Sequence, residues 1–322
     1  MNNKPLVSVI IPTYNRADKL SLAIDSVYKQ HYKNIELIIV DDGSNDNTAD
    51  VITKYPDAIF IEQQHAGQAA ARNNGLRNSK GSIIASLDSD DVWQPEFLIR
   101  CVEKLESDNL DFVFANWSQQ AKIGNDWDFL NRDPFLMPYF KNIMDSWVVL
   151  EYHDLRKVYM EACPSPSSSV VIRKSSIVSG WDDRINIADD WCMYLDVILS
   201  KECRAAFTLD RLWEKRIDDI NIYDGRKRNE VLKHLYISDT LTMMDKFKKL
   251  LTRSEMYILK QRYMASLVEL AKHELIREFN ITECLRLLKD SFIVNVPFTL
   301  KMIPDIFLKG LKGKYNALSG RA

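Results

Sequence analysis

The chain opens with short apolar runs that alternate with segments of helical spacing. Leu6–Ile11, Ile35–Val40, Ala58–Glu62, Ser82–Leu87 and Asp111–Ala115 are strand-length and rich in Val, Ile, Leu and Phe. Each of the first four ends in a polar, turn-forming cluster. Between them lie helical repeats such as Leu20, Ile24, Val27 and Tyr28, or Phe97, Val102 and Leu105. Continuous apolar strands separated by helices predict an α/β domain. Its mostly parallel sheet is covered on both faces, giving three Rossmann-like layers. Ligands of such sheets sit at the carboxyl ends of the strands, where the unusual residues of this sequence also fall.

Further on the pattern changes twice. From about Ala121 to Cys163 it is irregular and aromatic-rich, with Pro134, Pro138 and Pro164, which predicts an insertion or a lid rather than a second core. Ser167–Leu212 then carries the apolar run Val170–Ile172 and a helical stretch at Trp191–Leu199. From Asn229 to Asp290 there is neither glycine nor proline, which predicts a helical C-terminal subdomain. Phe292–Leu311 is apolar with interspersed lysines, and 301–322 holds Lys301, Lys309, Lys312, Lys314 and Arg321 against one acid, Asp305. A basic amphipathic tail over 291–322 can lie on an anionic membrane surface, each charge contributing about 1 kcal/mol. Packing on its own domain or on a second subunit of a homo-oligomer is the stronger expectation for it.

Composition narrows the picture by exclusion. Lys and Arg total 43 against 45 Asp and Glu, a net charge of -2, so no nucleic-acid partner is expected. The five cysteines are widely spaced without a C-x-x-C pair, which argues against a zinc knuckle or a disulfide framework. Met1–Pro5 leads straight into the first strand with no apolar leader. No apolar run approaches the roughly 18–20 residues of a spanning helix. A cytoplasmic protein, peripheral at most on the inner face of the cell membrane, is expected.

The candidate chemistry sits in five clusters. Pro12-Thr13-Tyr14-Asn15-Arg16 follows the first strand, and Asp41-Asp42-Gly43-Ser44 ends the second. His65-Ala66-Gly67-Gln68 leads into Ala71-Arg72-Asn73-Asn74-Gly75, and Asp88-Ser89-Asp90-Asp91 follows the fourth strand. In extended backbone, side chains two apart share a face, so Asp88 and Asp90 converge while Ser89 turns away. Two such carboxylates repel, and a hard divalent cation removes that penalty while filling its other positions with substrate phosphate and water. An acidic turn is the bland alternative. Asp41 and Asp42 make a turn or accept hydrogen bonds from a base or ribose; Arg72 is solvated or neutralises a diphosphate. The last cluster, Gly180-Trp181-Asp182-Asp183-Arg184 with Ala188-Asp189-Asp190-Trp191, dresses a helix N-terminus with acids or supplies a general base.

Singly these signals are weak, but their order is specific. The series P-T-Y-N-R, V-D-D-G-S-x-D, A-R-N-x-G, D-S-D-D and A-D-D-W resembles the family 2 glycosyltransferases of the GT-A fold, over about Pro5 to Arg216. Ser167–Arg173 followed by Gly180-Trp181 also looks like that family's middle region. The resemblance implies an inverting, single-displacement transfer of one sugar from a nucleotide diphosphate sugar, usually a UDP-sugar, to a hydroxyl. The acceptor would be a glycan or lipid-linked sugar in cell-surface polysaccharide assembly. Carried over, Pro12, Tyr14 and Asp42 line the nucleoside pocket with Asp41 nearby, and Arg72 lies close to the nucleotide. Asp88 contacts ribose or metal, Asp90 ligates Mn²⁺ or Mg²⁺, and Asp190, or Asp189 beside it, is the base. The implied GT-A domain spans 1–216, with nucleotide-sugar binding at about 1–115 and the acceptor side at about 116–216; a helical subdomain fills 217–322. The Q-x-x-R-W signature of processive synthases is absent, and Trp213–Asp219 lacks the histidine that many relatives place near the metal. Arg226-Lys227-Arg228 is a candidate clamp on the diphosphate.

Two enzyme classes and one binding role compete. A nucleotidyltransferase needs a glycine-rich basic loop after the first strand, and a dinucleotide dehydrogenase needs G-x-G-x-x-G there; neither is present. A non-catalytic, glycosyltransferase-like scaffold should have eroded acids at the metal and base positions, and here all are retained.

Overall fold

A computed structural model describes residues 4–119, 128–216 and 226–304. The described residues form two compact units, the first running to Asp183 and resuming at Asp189, the second made of Arg184–Ala188 and the C-terminal residues.

The first unit is built on a nine-stranded sheet. Its strands are β1 (Val7–Thr13), β2 (Ile35–Asp41), β3 (Ile59–Glu62), β4 (Ile83–Ser86), β5 (Val92–Trp93), β6 (Phe112–Gln119), β7 (Trp147–Leu150), β8 (Val170–Arg173) and β9 (Ala205–Lys215). The order is β3-β2-β1-β4-β8-β6-β9-β5, with β7 also paired to β9. Tracing the pairings, β1, β2, β3, β4, β6 and β9 run one way, while β5, β7 and β8 run against them. The sheet is therefore mixed but mostly parallel, as its apolar runs predict. All seven residues of β1 are buried, so both of its faces are covered. β3 is one edge, and there Ile59 and Phe60 stay exposed.

The helices of this unit are α1 (Ala17–Tyr28), α2 (Thr48–Ile52), α3 (Gln68–Asn78), α4 (Phe97–Ser107), α5 (Tyr152–Glu161) and α6 (Asp189–Ser200). The region after Ala121 differs from the expected irregular insertion. Residues 120–127 lie outside the described residues, but 147–161 supply β7 and α5, with α5 packed on α6. The apolar run Trp147–Leu150 that joins the sheet is only four residues long, too short to stand out among the neighbouring aromatics.

α3 lies close on β1 because of one residue. A Cβ on Gly75 would come within 2.5 Å of Ile10 Cγ2, inside a strand with no room to yield. Gly75→Ala should therefore destabilise the domain by about 1–3 kcal/mol despite the better helix propensity of alanine. Denaturant unfolding checks this; an unchanged midpoint would mean that Ile10 repacks at no cost.

The second unit is helical where described. It contains α7 (Arg228–Val231), a π-helical stretch at Leu232–Asp239, α8 (Thr240–Phe247), α9 (Arg253–Ile276) and α10 (Ile281–Val294). The run predicted as helical is punctuated at 248–252 and 277–280, where caps rather than glycine or proline set the breaks. Thr252 and Glu255 form a reciprocal capping box, and Asn280 caps α10 through the Glu283 N–H. Asp239 is fully buried and accepts from the backbone N–H groups of Asn186, Ile187 and Ala188 at 2.8–3.0 Å. Most of the basic tail, 305–322, lies outside the described residues.

Candidate active site

The acids gather where the parallel strands end. β1 delivers Tyr14, β2 delivers Asp41 and Asp42, and β4 delivers Asp88–Asp91. β8 runs against β4, so its lead-in, Ser167–Ser169, arrives beside the exit of β4, and the Ser168 hydroxyl accepts from the Asp88 N–H at 3.1 Å. The same hydroxyl donates to Asp91 at 2.7 Å.

On the β1–β2 side, Asn15 takes φ 51°, and the Ser44 Oγ accepts from its N–H. Asp41 accepts from the Ser44 N–H and hydroxyl. Asp42 is buried and its carboxylate gathers the segment before α3. It accepts from Gln63 Nε2 at 2.8 Å, Ala66 N at 2.9 Å and Gly67 N at 2.8 Å, with His65 Nδ1 2.9 Å from Oδ2. His65 in turn stacks on Tyr14, ring centroids 4.1 Å apart, and both rings remain partly exposed. Gly43 holds φ +79° with His65 N only 3.0 Å from where a Cβ would stand. The turn thus closes against the His65 segment, a partnership across more than twenty positions that spacing along the chain does not show.

Arg72 on α3 is the junction. Its side chain is 3% exposed, NH1 lies 2.6 Å from Asp189 Oδ2, and NH2 lies 2.6 Å from Asp88 Oδ1. Burial alone would lower its pKa, but the carboxylates of Asp189, Asp88 and Asp190 outweigh it and hold the guanidinium charged. Gln68 adds a hydrogen bond of 2.9 Å to Asp189. Arg72 is therefore neither a solvated surface cation nor open to a diphosphate from all sides. The next residue, Asn73, accepts from the Trp181 N–H and donates to its carbonyl, fixing the segment that precedes α6.

The acids differ in what they can still do. In the Asp88–Asp91 turn, the Asp88 and Asp90 side chains are 38% and 16% exposed, whereas Asp91 is buried. Burial, then the charge of Asp88, raises the pKa of Asp90; Arg16, 3.9 Å away, works the other way. Asp91 is raised well above the usual range by burial and by Asp88 and Asp90. At the start of α6, Asp189 is buried and committed to Arg72 and Gln68. Asp190 is only partly buried and accepts from Ser167 N at 3.2 Å and Trp191 N at 2.7 Å. Burial and the neighbouring Asp189 charge lift its pKa to about 7, against the pull of Arg72. Among the described residues, no group of three or more His, Cys, Asp or Glu side chains is placed to hold a metal ion.

Residues 8–157 match the glycosyl transferase family 2 profile. This domain is a family 2 glycosyltransferase. Its similarity to TuaG of Bacillus subtilis, named for teichuronic acid biosynthesis, is 35% identity over 43% of this chain and 57% of that one. Similarity to the Escherichia coli UDP-Glc:alpha-D-GlcNAc-diphosphoundecaprenol beta-1,3-glucosyltransferase WfgD is 37% over 35% of this chain and 46% of that one. The chain thus spans about half the length of these curated relatives. S. aureus TarS 1–349 in complex with UDP-GlcNAc superposes with a TM-score of 0.65 at 14% identity, over 94% of this chain and 89% of that one. The mannosyltransferase PcManGT from Pyrobaculum calidifontis, solved with GDP-Man and Mn²⁺, gives 0.55 at 18%, over 100% and 89%. These structural likenesses show the GT-A glycosyltransferase fold. No helix among the described residues is long and apolar enough to cross a membrane.

Proposed function

We propose that this glycosyltransferase moves one sugar from a UDP-sugar to a hydroxyl of a lipid-linked glycan during cell-surface polysaccharide synthesis, with inversion. One observation carries the proposal: Arg72 bridges Asp88 and Asp189, so the acids after β4 and the acid pair of α6 belong to one site. The UDP donor and the lipid-linked acceptor are supported by the names of TarS's ligand and of WfgD.

In this reading Tyr14 and Pro12 border the nucleoside, and Asp41 and Asp42 shape that border through Ser44 and the His65–Gly67 segment. The donor set fits a divalent cation completed by substrate oxygens: two partly open carboxylates, Asp88 and Asp90, where burial and then the charge of Asp88 raise the Asp90 pKa. Mn²⁺ or Mg²⁺ bound there would neutralise charge developing on the diphosphate. Asp190 faces the reaction from a different segment. As the acceptor oxygen bonds to the anomeric carbon, its proton passes to the Asp190 carboxylate, and the carbon–oxygen bond to the diphosphate breaks with its electron pair. One displacement inverts the configuration. Asp189 holds Arg72 and leaves Asp190 as the acid able to exchange a proton near neutral pH. Work at the inner face of the cell membrane suits a lipid-linked acceptor, and the basic sequence 301–322 suits that location. Within the second unit, Arg228 of the candidate clamp is bound to Glu269 by two hydrogen bonds of 3.0 Å.

A thermal-shift panel of UDP-, GDP- and dTDP-sugars with and without Mn²⁺ tests the donor class. UDP-sugars should raise the melting temperature most, and more with Mn²⁺. A panel in which no UDP-sugar stabilises the protein would sink the reading.

A further inference from the structure

The serine turn before β8 contains a hydroxyl that the fold does not use. Ser165, Ser167, Ser168 and Ser169 are all buried, at 0–2% exposure. Three of the four hydroxyls are occupied: Ser165 with Tyr159 Oη, Ser168 with Asp91, and Ser169 with the Pro166 carbonyl at 2.7 Å. Of the four, the Ser167 hydroxyl has no hydrogen-bond partner among the described residues. Buried polar groups are nearly always paired, and one left unpaired costs stability, so its retention calls for a reason. The neighbour is informative: the N–H of this same residue donates to Asp190 Oδ2 at 3.2 Å.

The geometry points to Ser167 as a contact for the acceptor sugar. This rests on the assignment of Asp190 as the base. The acceptor hydroxyl that yields its proton must come within hydrogen-bond reach of the Asp190 carboxylate. A ring hydroxyl next to it on the same sugar then finds the Ser167 hydroxyl, which can both donate and accept. The site therefore reads two adjacent hydroxyls of the acceptor, one by Asp190 and one by Ser167. An acceptor lacking the second hydroxyl leaves Ser167 unpaired in the complex and is bound less well, the usual origin of selectivity for a hydroxyl-bearing substrate. Ser168 serves a different purpose, since its hydroxyl is already spent on the Asp88–Asp91 turn.

The prediction separates stability from function in sign. Ser167→Ala removes an unpaired buried hydroxyl, so the ligand-free protein should melt at the same temperature as wild type or higher. Transfer from UDP-glucose to a short-chain α-GlcNAc diphospholipid should show the acceptor KM raised about tenfold or more, with the UDP-glucose KM unchanged. A lower melting temperature would show that the hydroxyl serves the fold. An acceptor KM within twofold of wild type, or a change confined to the donor KM, would equally overturn the assignment. Asp190→Asn run alongside distinguishes the two readings: if it still turns over, the base is elsewhere, and the acceptor KM of Ser167→Ala judges Ser167 alone. A wild-type protein that transfers to no such acceptor overturns both.

Discussion

Asp190→Asn should lower transfer by at least about a hundredfold while donor affinity changes little, since general-base help is worth 10²–10⁴ in rate. An acceptor hydroxyl is a poor nucleophile at neutral pH, and Asp190 is the acid of the α6 pair with capacity to spare. Asp189 is fixed by Arg72 and Gln68, whereas the hydrogen bonds that Asp190 accepts among the described residues come from the N–H groups of Ser167 and Trp191. The pH dependence has a definite sign. A base works ionised, so with the Asp190 carboxyl at about 7 the wild-type kcat/KM should rise with pH through that value and then level. The asparagine variant should lose this limb. Stability moves oppositely. The folded pKa lies above the ordinary aspartate value of about 4, so Asp190 costs stability progressively as pH rises between about 4 and 7. The variant should therefore melt higher than wild type at pH 8 and gain less at pH 5. Near-normal turnover in Asp190→Asn together with a dead Asp189→Asn would move the assignment by one residue.

Asp90→Ala should abolish transfer, and excess chelator should do the same to the wild type. Asp90 is the partly open carboxylate whose pKa is raised by burial and by Asp88, the electrostatic cost that a divalent cation removes. Asp88→Ala should be as severe for turnover yet keep part of the nucleotide binding. It also leaves Arg72 with one carboxylate instead of two. Isothermal titration with UDP, with and without Mn²⁺, separates the two variants. Wild-type activity that survives excess chelator unchanged would show that this pair holds no essential metal.

How much of this could be read beforehand depended on how local each signal is. β1, β2, β3 and β4 each fall within about two residues of the apolar runs that predict them, and β6 starts with its run but continues four residues past it to Gln119. β1 and β4 are the clearest, because a strand buried on both faces must be apolar throughout. The two-residue β5 and the four-residue β7 offered too little sequence to stand out. In the site, acids at strand ends were conspicuous, and Arg72, Asp88 and the Asp189–Asp190 pair do converge. What each acid could still accept was not legible. Asp42 is filled by donors more than twenty residues away, and Asp91 is tied to Ser168 across 77 positions. Those partners come from the tertiary registers of β2 with β3 and of β4 with β8, which no spacing along the chain encodes.

The reversal of β8 has a bearing on how such a protein can diversify. The donor-side acids leave the sheet on β4, while the serine turn enters on the antiparallel strand beside it. Neighbouring loops at one rim thus belong to chain segments separated by some eighty positions. On the proposed assignment, substitutions in the approach to β8 alter which acceptor is admitted while the register of β1, β2 and β4, the proposed nucleotide side, is kept. A new acceptor preference is then reachable through changes at and just before Ser167, while Ser168 stays held by the Asp88–Asp91 turn that it braces.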